Sequence, residues 1–104
     1  MKAGTIYALA SGRGQAGIAV IRISGPGAGG ALAALAQKMP PPRCATRVSL
    51  IDPTDGGLLD DGLALWFPGP ASFTGEDVVE LHLHGGIAVV AGVIEALASI
   101  DGLR

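Results

Sequence analysis

The residues best suited to chemistry lie in one stretch, FPGPASFTGEDVVELHLHGG, at residues 67–86. The stretch holds both histidines of the chain and three of its nine acidic residues. Side chains two positions apart on a strand point to the same side, so Glu80, His82 and His84 are predicted to share one face of a strand over Val78–His84. The apolar residues between them would then face the core.

Two histidines and a carboxylate on one face are the donor set of a two-histidine, one-carboxylate metal centre. Along an extended strand, however, the Cα atoms of Glu80 and His84 lie about 13 Å apart, too far to share one ion without a bulge or another strand. No metal site is therefore expected. An antiparallel sheet with one face in water gives the same alternation, and this interpretation stays open.

A single arginine interrupts the second predicted strand, which covers residues 17–24 (GIAVIRIS). Arg22 lies there among apolar residues, and burial of an unpaired guanidinium is costly, so Arg22 is expected to have a partner. An ion pair with Glu80 or Asp77 satisfies this requirement, and so does a contact with a bound ligand. Both interpretations stay open.

One glycine-rich string of the chain matches a known nucleotide-binding pattern. GRGQAG at residues 12–17 matches G-x-G-x-x-G, but a β-rich segment follows it instead of a helix, and no acidic residue occurs before Asp52. A dinucleotide site is therefore not predicted. The phosphate-binding pattern G-x-x-x-x-G-K-[ST] and the serine pattern G-x-S-x-G do not occur in the sequence, which offers no evident catalytic residue.

Composition predicts one folded domain over residues 1–104, since 49% of the residues are hydrophobic and 15% are charged. A net charge of −2 argues against a general nucleic-acid surface, which needs a basic stripe. Six of the seven basic residues precede Asp52 and all nine acidic residues lie from Asp52 onward. The two halves are therefore expected to pair with each other or to form a pocket that attracts anions. One cysteine, no signal segment and short apolar runs predict a cytoplasmic protein without a membrane span.

The order of the predicted elements indicates an α+β fold, with two helices on one face of a mixed β-sheet. Helices are predicted over residues 28–39 and 87–100. Their predicted core residues are Leu32, Leu35, Ala36 and Met39 in the first, and Ile87, Val90, Ala91, Ile94, Leu97 and Ala98 in the second. Because Leu103 looks like the start of another strand, the sequence is expected to be a fragment of a longer protein.

Two long strings, GRGQAGIAVIRISGPGA and DDGLALWFPGPASFTGEDVVELHLHGG, resemble the amino-terminal domain of the MnmE (TrmE) family of tRNA-modification GTPases. The resemblance covers nearly the whole chain, from Thr5 to Arg104. It implies a fold similar to the folate-binding domain of the glycine-cleavage aminomethyltransferase. It also implies a domain that binds a tetrahydrofolate derivative, formyl- or methylene-tetrahydrofolate, and that forms a homodimer.

The resemblance further implies a function in tRNA modification. The folate supplies the one-carbon unit for carboxymethylaminomethyl modification at C5 of the wobble uridine, together with an FAD-dependent partner protein of the MnmG (GidA) type. The full-length family member would be a GTP hydrolase that meets tRNA as part of this complex. GTP, Mg²⁺ and K⁺ would belong to a GTPase domain that this stretch does not contain. The alternative is a structural homodimerisation module that binds no ligand of its own.

The resemblance assigns the folate contacts to Arg22, in the RISG match, and to Glu80, in the VVEL match. Arg13, His84 and Gly86 are further candidates, and Gly86 would offer backbone N–H groups at the start of the last helix. The chain departs from the family at two places. Many relatives have two prolines where this chain has Ala-Ser at residues 10–11, and Gln-Gly where it has His-Leu at residues 82–83.

Overall fold

The sheet and its helices were located in a computed structural model that describes residues 4–11, 17–72 and 74–104. The five strands are β1 (Ile6–Leu9), β2 (Ile18–Ser24), β3 (Thr46–Ile51), β4 (Leu58–Phe67) and β5 (Val78–His84). The two helices are α1 (Ala28–Ala36) and α2 (Ile87–Ala98). The predicted α+β class is confirmed, and the predicted bounds of β5 match the observed bounds.

The strands form one sheet in the order β1-β2-β5-β4-β3, and each neighbouring pair runs antiparallel. Parallel pairing occurs at the edge, where Thr5 forms a parallel bridge with Leu103. The backbone N–H of Arg104 donates to the carbonyl of Thr5 there, at 3.0 Å. Among the residues that the structure describes, the expected mixed sheet is thus antiparallel over its five strands, and parallel pairing occurs only at isolated bridges such as this one.

Alternation along the strands gives the sheet two unlike faces, and both helices pack on the same one. We call this the core face. Its strand residues are deeply buried, and they form one cluster with buried residues of both helices: Ile21, Ile23, Val48, Leu50, Ala64, Val79, Leu81 and Leu83 from the sheet, and Leu32, Leu35, Val93 and Leu97 from the helices. The opposite face, which we call the open face, carries Arg22, Glu80 and His82.

Helix α1 is shorter than predicted. At its start, the buried hydroxyl of Thr5 accepts a hydrogen bond from the backbone N–H of Gly27 at 2.6 Å. At its end, Gln37 adopts a left-handed conformation (φ 61°) that closes the helix. The helix therefore stops three residues before the predicted end, and Met39, a predicted core residue, is 45% exposed.

Helix α2 packs through a stripe that shares only Ile94 and Leu97 with the predicted one. Its buried residues are Val93, Ala96 and Leu97, with Val89 and Ile94 packed beside them. Ile87, predicted to lie in the core, is 66% exposed. The sequence of α2, IAVVAGVIEALA, is apolar around most of its circumference, so periodicity could not select one face. No helix in the described part of the chain is long and apolar enough to cross a membrane.

Candidate ligand site

An ion pair occupies the middle of the open face. Arg22 on β2 lies directly opposite Glu80 on β5 in the antiparallel register. Nη2 of Arg22 donates to Oε2 of Glu80 at 2.8 Å, and Nε donates to the same oxygen at 3.2 Å. Of the two acidic partners considered from the sequence, Glu80 is the one observed. Asp77 instead accepts the backbone N–H of Gly69 at 2.9 Å.

The second oxygen of Glu80 is also engaged. Nε2 of His82 lies 3.1 Å from Oε1, so the carboxylate is held between an arginine and a histidine. Partial burial by itself raises the pKa of Glu80. The hydrogen bonds from Arg22 and His82, together with their charges, outweigh that effect, so the pKa lies below its ordinary value. Glu80 is therefore an anionic acceptor at neutral pH.

A cavity of about 440 Å³ opens beside this pair. We call it the Glu80 pocket. Its lining combines charged groups with an apolar wall, namely Arg22, Arg43, Phe67, Ala71, Ser72, Val78 and Glu80. An assembly module is expected to close off Glu80 by an ion pair with Arg22, whereas a binding module is expected to have an open cleft beside Glu80. Both features are present.

The loop between β4 and β5 forms the rim of the pocket, and it is tied to β2 by side-chain hydrogen bonds. Oγ of Ser24 lies 3.1 Å from Oγ1 of Thr74 and donates to the carboxylate of Glu76 at 3.4 Å. The hydroxyl of Ser72 donates to the carbonyl of Glu76 within the loop. These contacts attach the loop residues at the pocket to the end of β2.

His84 and Gly86 lie apart from the Glu80 pocket. Nδ1 of His84 pairs with Oδ1 of Asp60 at 2.8 Å, and its backbone N–H donates to Oδ2 at 2.9 Å. Asp60 is nearly buried, whereas the imidazole is 72% exposed. Gly86, the exposed residue that precedes α2, follows at the same end of β5. The structure therefore brings Arg22 and Glu80 together, and it does not bring His84 or Gly86 to them.

A second cavity of about 330 Å³ lies on the His84 side of the sheet, lined by Ile18, Arg47, Asp61, Gly62, Leu63, His82, Leu83 and His84. His82 thus contacts Glu80 and also lines this second cavity. Within the described ranges, no three or more His, Cys, Asp or Glu side chains converge as a metal site would require. Arg13, the remaining predicted site residue, lies outside the described residues.

Sequence reasoning missed two residues near the site. Arg43 lines the Glu80 pocket, although it follows a run of three prolines far from β5 in the sequence. Asp60 orients His84 from β4, a pairing 24 residues apart. Neither residue belongs to a recognisable local pattern. The alternation of apolar and polar residues in β4 and β5 predicts which side chains share a face of the sheet. It does not predict the register between the two strands.

Comparison with known proteins gives a match over nearly the whole chain. The family model described as GTP-binding protein TrmE N-terminus matches residues 5–104. The tRNA modification GTPase MnmE of Novosphingobium aromaticivorans is 62% identical over 96% of this chain. The mitochondrial 5-taurinomethyluridine-[tRNA] synthase subunit GTPB3 is 58% identical over 96% of the chain in Homo sapiens and 55% over 96% in Danio rerio.

The matched region is a small part of these relatives. It corresponds to 23% of the Novosphingobium protein, 21% of the human protein and 20% of the zebrafish protein. The chain therefore spans about a fifth of the length of the curated relatives that it matches.

Proposed function

The chain belongs to the TrmE N-terminal domain family, and we propose that its Glu80 pocket binds a tetrahydrofolate derivative, formyl- or methylene-tetrahydrofolate, as a one-carbon donor. The donor serves carboxymethylaminomethyl modification at C5 of the wobble uridine of tRNA, in the cytoplasm. An FAD-dependent protein of the MnmG (GidA) type is the proposed partner, and tRNA is met through the full-length complex. The names of the relatives, which describe tRNA modification, support this class of reaction.

The observation that carries the proposal is the anionic carboxylate of Glu80 beside the pocket. A pterin ring presents an amino group and an adjacent ring N–H as paired donors, and a carboxylate fixed on a strand accepts both. Phe67, Val78 and Ala71 supply an apolar wall for the ring. Arg22 holds the carboxylate in place and keeps it ionised.

Ligand binding requires one of the existing bonds to Glu80 to give way. A carboxylate offers about four acceptor positions, and Arg22 and His82 together make three hydrogen bonds to it. The bond from His82 is the one that the ligand replaces, because His82 engages Oε1 singly whereas Arg22 holds Oε2 by two donors. The two donors of the ligand then use the positions of Oε1, because Arg22 occupies both positions of Oε2.

Calorimetric titration with 5-formyl-tetrahydrofolate tests the proposal. Glu80→Ala is expected to lose more than about tenfold in affinity, equivalent to about 1.4 kcal/mol. Lys38→Met, a substitution of an exposed basic residue away from the pocket, is the control and should bind as wild type does. Equal affinity of wild type and Glu80→Ala would overturn the assignment of the site.

A homodimerisation module that binds no ligand of its own is the second candidate. Its support is that both oxygens of Glu80 are already engaged, and that the open face exposes the apolar residues Ile6, Ile18 and Leu63, at 53%, 62% and 41%. Both candidates propose a homodimer, so sedimentation at micromolar concentration should give twice the chain mass. A dimer that shows no heat of binding with any reduced folate would favour the second candidate.

A further inference from the structure

We infer that Arg43 is the specificity-determining residue of the Glu80 pocket, and that it selects ligands whose ring system carries a carboxylate tail. The inference rests on the proposed function, because it names the group that recognises the far end of the proposed ligand. The pocket is lined by two arginines and one carboxylate. Nη2 of Arg22 and Oε2 of Glu80 form an ion pair at 2.8 Å. Arg43 lines the same pocket and forms no ion pair with a described residue.

The guanidinium of Arg43 has donors to spare. Nη2 donates to the carbonyl of Ala71 at 2.9 Å, which accounts for one of its five N–H groups. Among the described residues, no Asp or Glu oxygen lies within 4.0 Å of it. A planar fork of this kind matches the geometry of a carboxylate and binds it through two parallel hydrogen bonds.

The backbone of Arg43 fixes the position from which the side chain acts. Its N–H donates to the carbonyl of Trp66 at 2.8 Å, which ties the segment to the end of β4. Its φ of 60° is left-handed, a conformation uncommon for a residue with a side chain. The residue is therefore held in a specific conformation by the adjacent strand.

The two charged groups Glu80 and Arg43, which line the same pocket, thus have different preferences. Glu80 accepts hydrogen bonds from the ring of a ligand, and Arg43 donates hydrogen bonds to an anionic group. The apolar wall of Phe67, Ala71 and Val78 belongs to the same cavity. A ligand that satisfies every part of this lining has a donor-bearing planar ring, an apolar middle and a terminal carboxylate.

A comparison of two ligands on matched variants tests the inference. The ligands are 5-formyl-tetrahydrofolate, which carries the glutamate tail, and 6-methyltetrahydropterin, which has the ring without the tail. Arg43→Met is expected to weaken binding of the first about tenfold or more, since hydrogen bonds between charged groups are among the stronger ones. It should leave binding of the second unchanged, and Arg43→Lys should be intermediate with the first ligand.

Lys38→Met, which removes one positive charge elsewhere on the surface, should leave both affinities unchanged. An equal loss for both ligands in Arg43→Met, or no loss for either, would overturn the role of Arg43 while leaving the proposed function in place. If wild type bound neither ligand, the proposed function would fail and this inference with it. Thermal unfolding of Arg43→Met should match that of wild type, because the side chain is exposed. A lowered unfolding temperature together with equal losses would assign Arg43 to the fold.

Discussion

The two faces of the sheet use the same strands for different purposes. On the core face, Ile21, Val79 and Leu81 are fully buried against the helices. On the open face, Arg22, Glu80 and His82 are paired to one another and remain partly exposed. Neighbouring residues of β5 therefore belong to unlike environments. The core face supplies most of the buried apolar contacts, and the open face stays partly accessible to solvent.

The largest expected effect comes from the core face. Leu81→Ala removes a fully buried side chain and leaves a cavity, so the free energy of unfolding should fall by about 2–5 kcal/mol. His82→Ala, one position along the same strand, removes a partly exposed hydrogen bond and should cost less than about 1 kcal/mol. Urea denaturation of both variants measures the difference. Equal losses of unfolding free energy would contradict the stated difference between the two faces.

A smaller effect is expected where β4 and β5 approach each other closely. A Cβ atom added at Gly62 would lie 2.5 Å from the carbonyl oxygen of His82, and this neighbour is backbone that cannot rotate away. Gly62→Ala should therefore destabilise the protein by about 1–3 kcal/mol.

Gly30, in the first turn of α1, is the matched control for Gly62, since nothing lies within 4 Å of its added Cβ. Gly30→Ala should raise the free energy of unfolding by about 0.4–1 kcal/mol, because alanine loses less backbone entropy in a helix. Thermal unfolding of the two variants should shift in opposite directions. Shifts of the same sign would contradict the strand spacing described for β4 and β5.

The smallest effect concerns pH and the open face. The pKa of Glu80 is lower in the folded protein than its ordinary value, so Glu80 adds stability above that ordinary value, and this contribution is lost as pH falls through the folded pKa. The difference in unfolding free energy between wild type and Glu80→Gln should therefore shrink below about pH 4. Denaturant titrations at neutral and acidic pH measure it. A difference that grows on acidification would reverse the assigned direction of the shift.

Much of the fold follows from local patterns in the sequence. The alternation in β5 predicted Leu81 in the core and Glu80 on the other face, because successive side chains of a strand point to opposite faces of the sheet. The buried stripe of helix α2 could be predicted only in part, since the helix is apolar around most of its circumference and tertiary packing selected the stripe. The end of α1 at Gln37 depended on a left-handed residue that is usually glycine.

The candidate site was predictable in part. The partnership of Arg22 with Glu80 could be anticipated, because a guanidinium in an apolar strand needs a partner. The strand register that places them opposite each other is set by contacts distant in sequence. Arg43 reaches the pocket through the path of the chain after the three prolines. The hydrogen bonds that Asp60 accepts from His84 depend on the arrangement of two strands. Local sequence patterns predict neither the position of Arg43 at the pocket nor the contact between Asp60 and His84.

The double variant Arg22→Met/Glu80→Leu tests most directly whether the ion pair on the open face contributes to ligand binding rather than to stability. Replacing an ion pair by apolar side chains of similar size is often neutral or stabilising, so the free energy of unfolding should be unchanged or higher than in wild type. Affinity for 5-formyl-tetrahydrofolate, measured calorimetrically on the same preparation, should fall more than about tenfold. A variant that lost stability but bound the folate as wild type does would contradict the account.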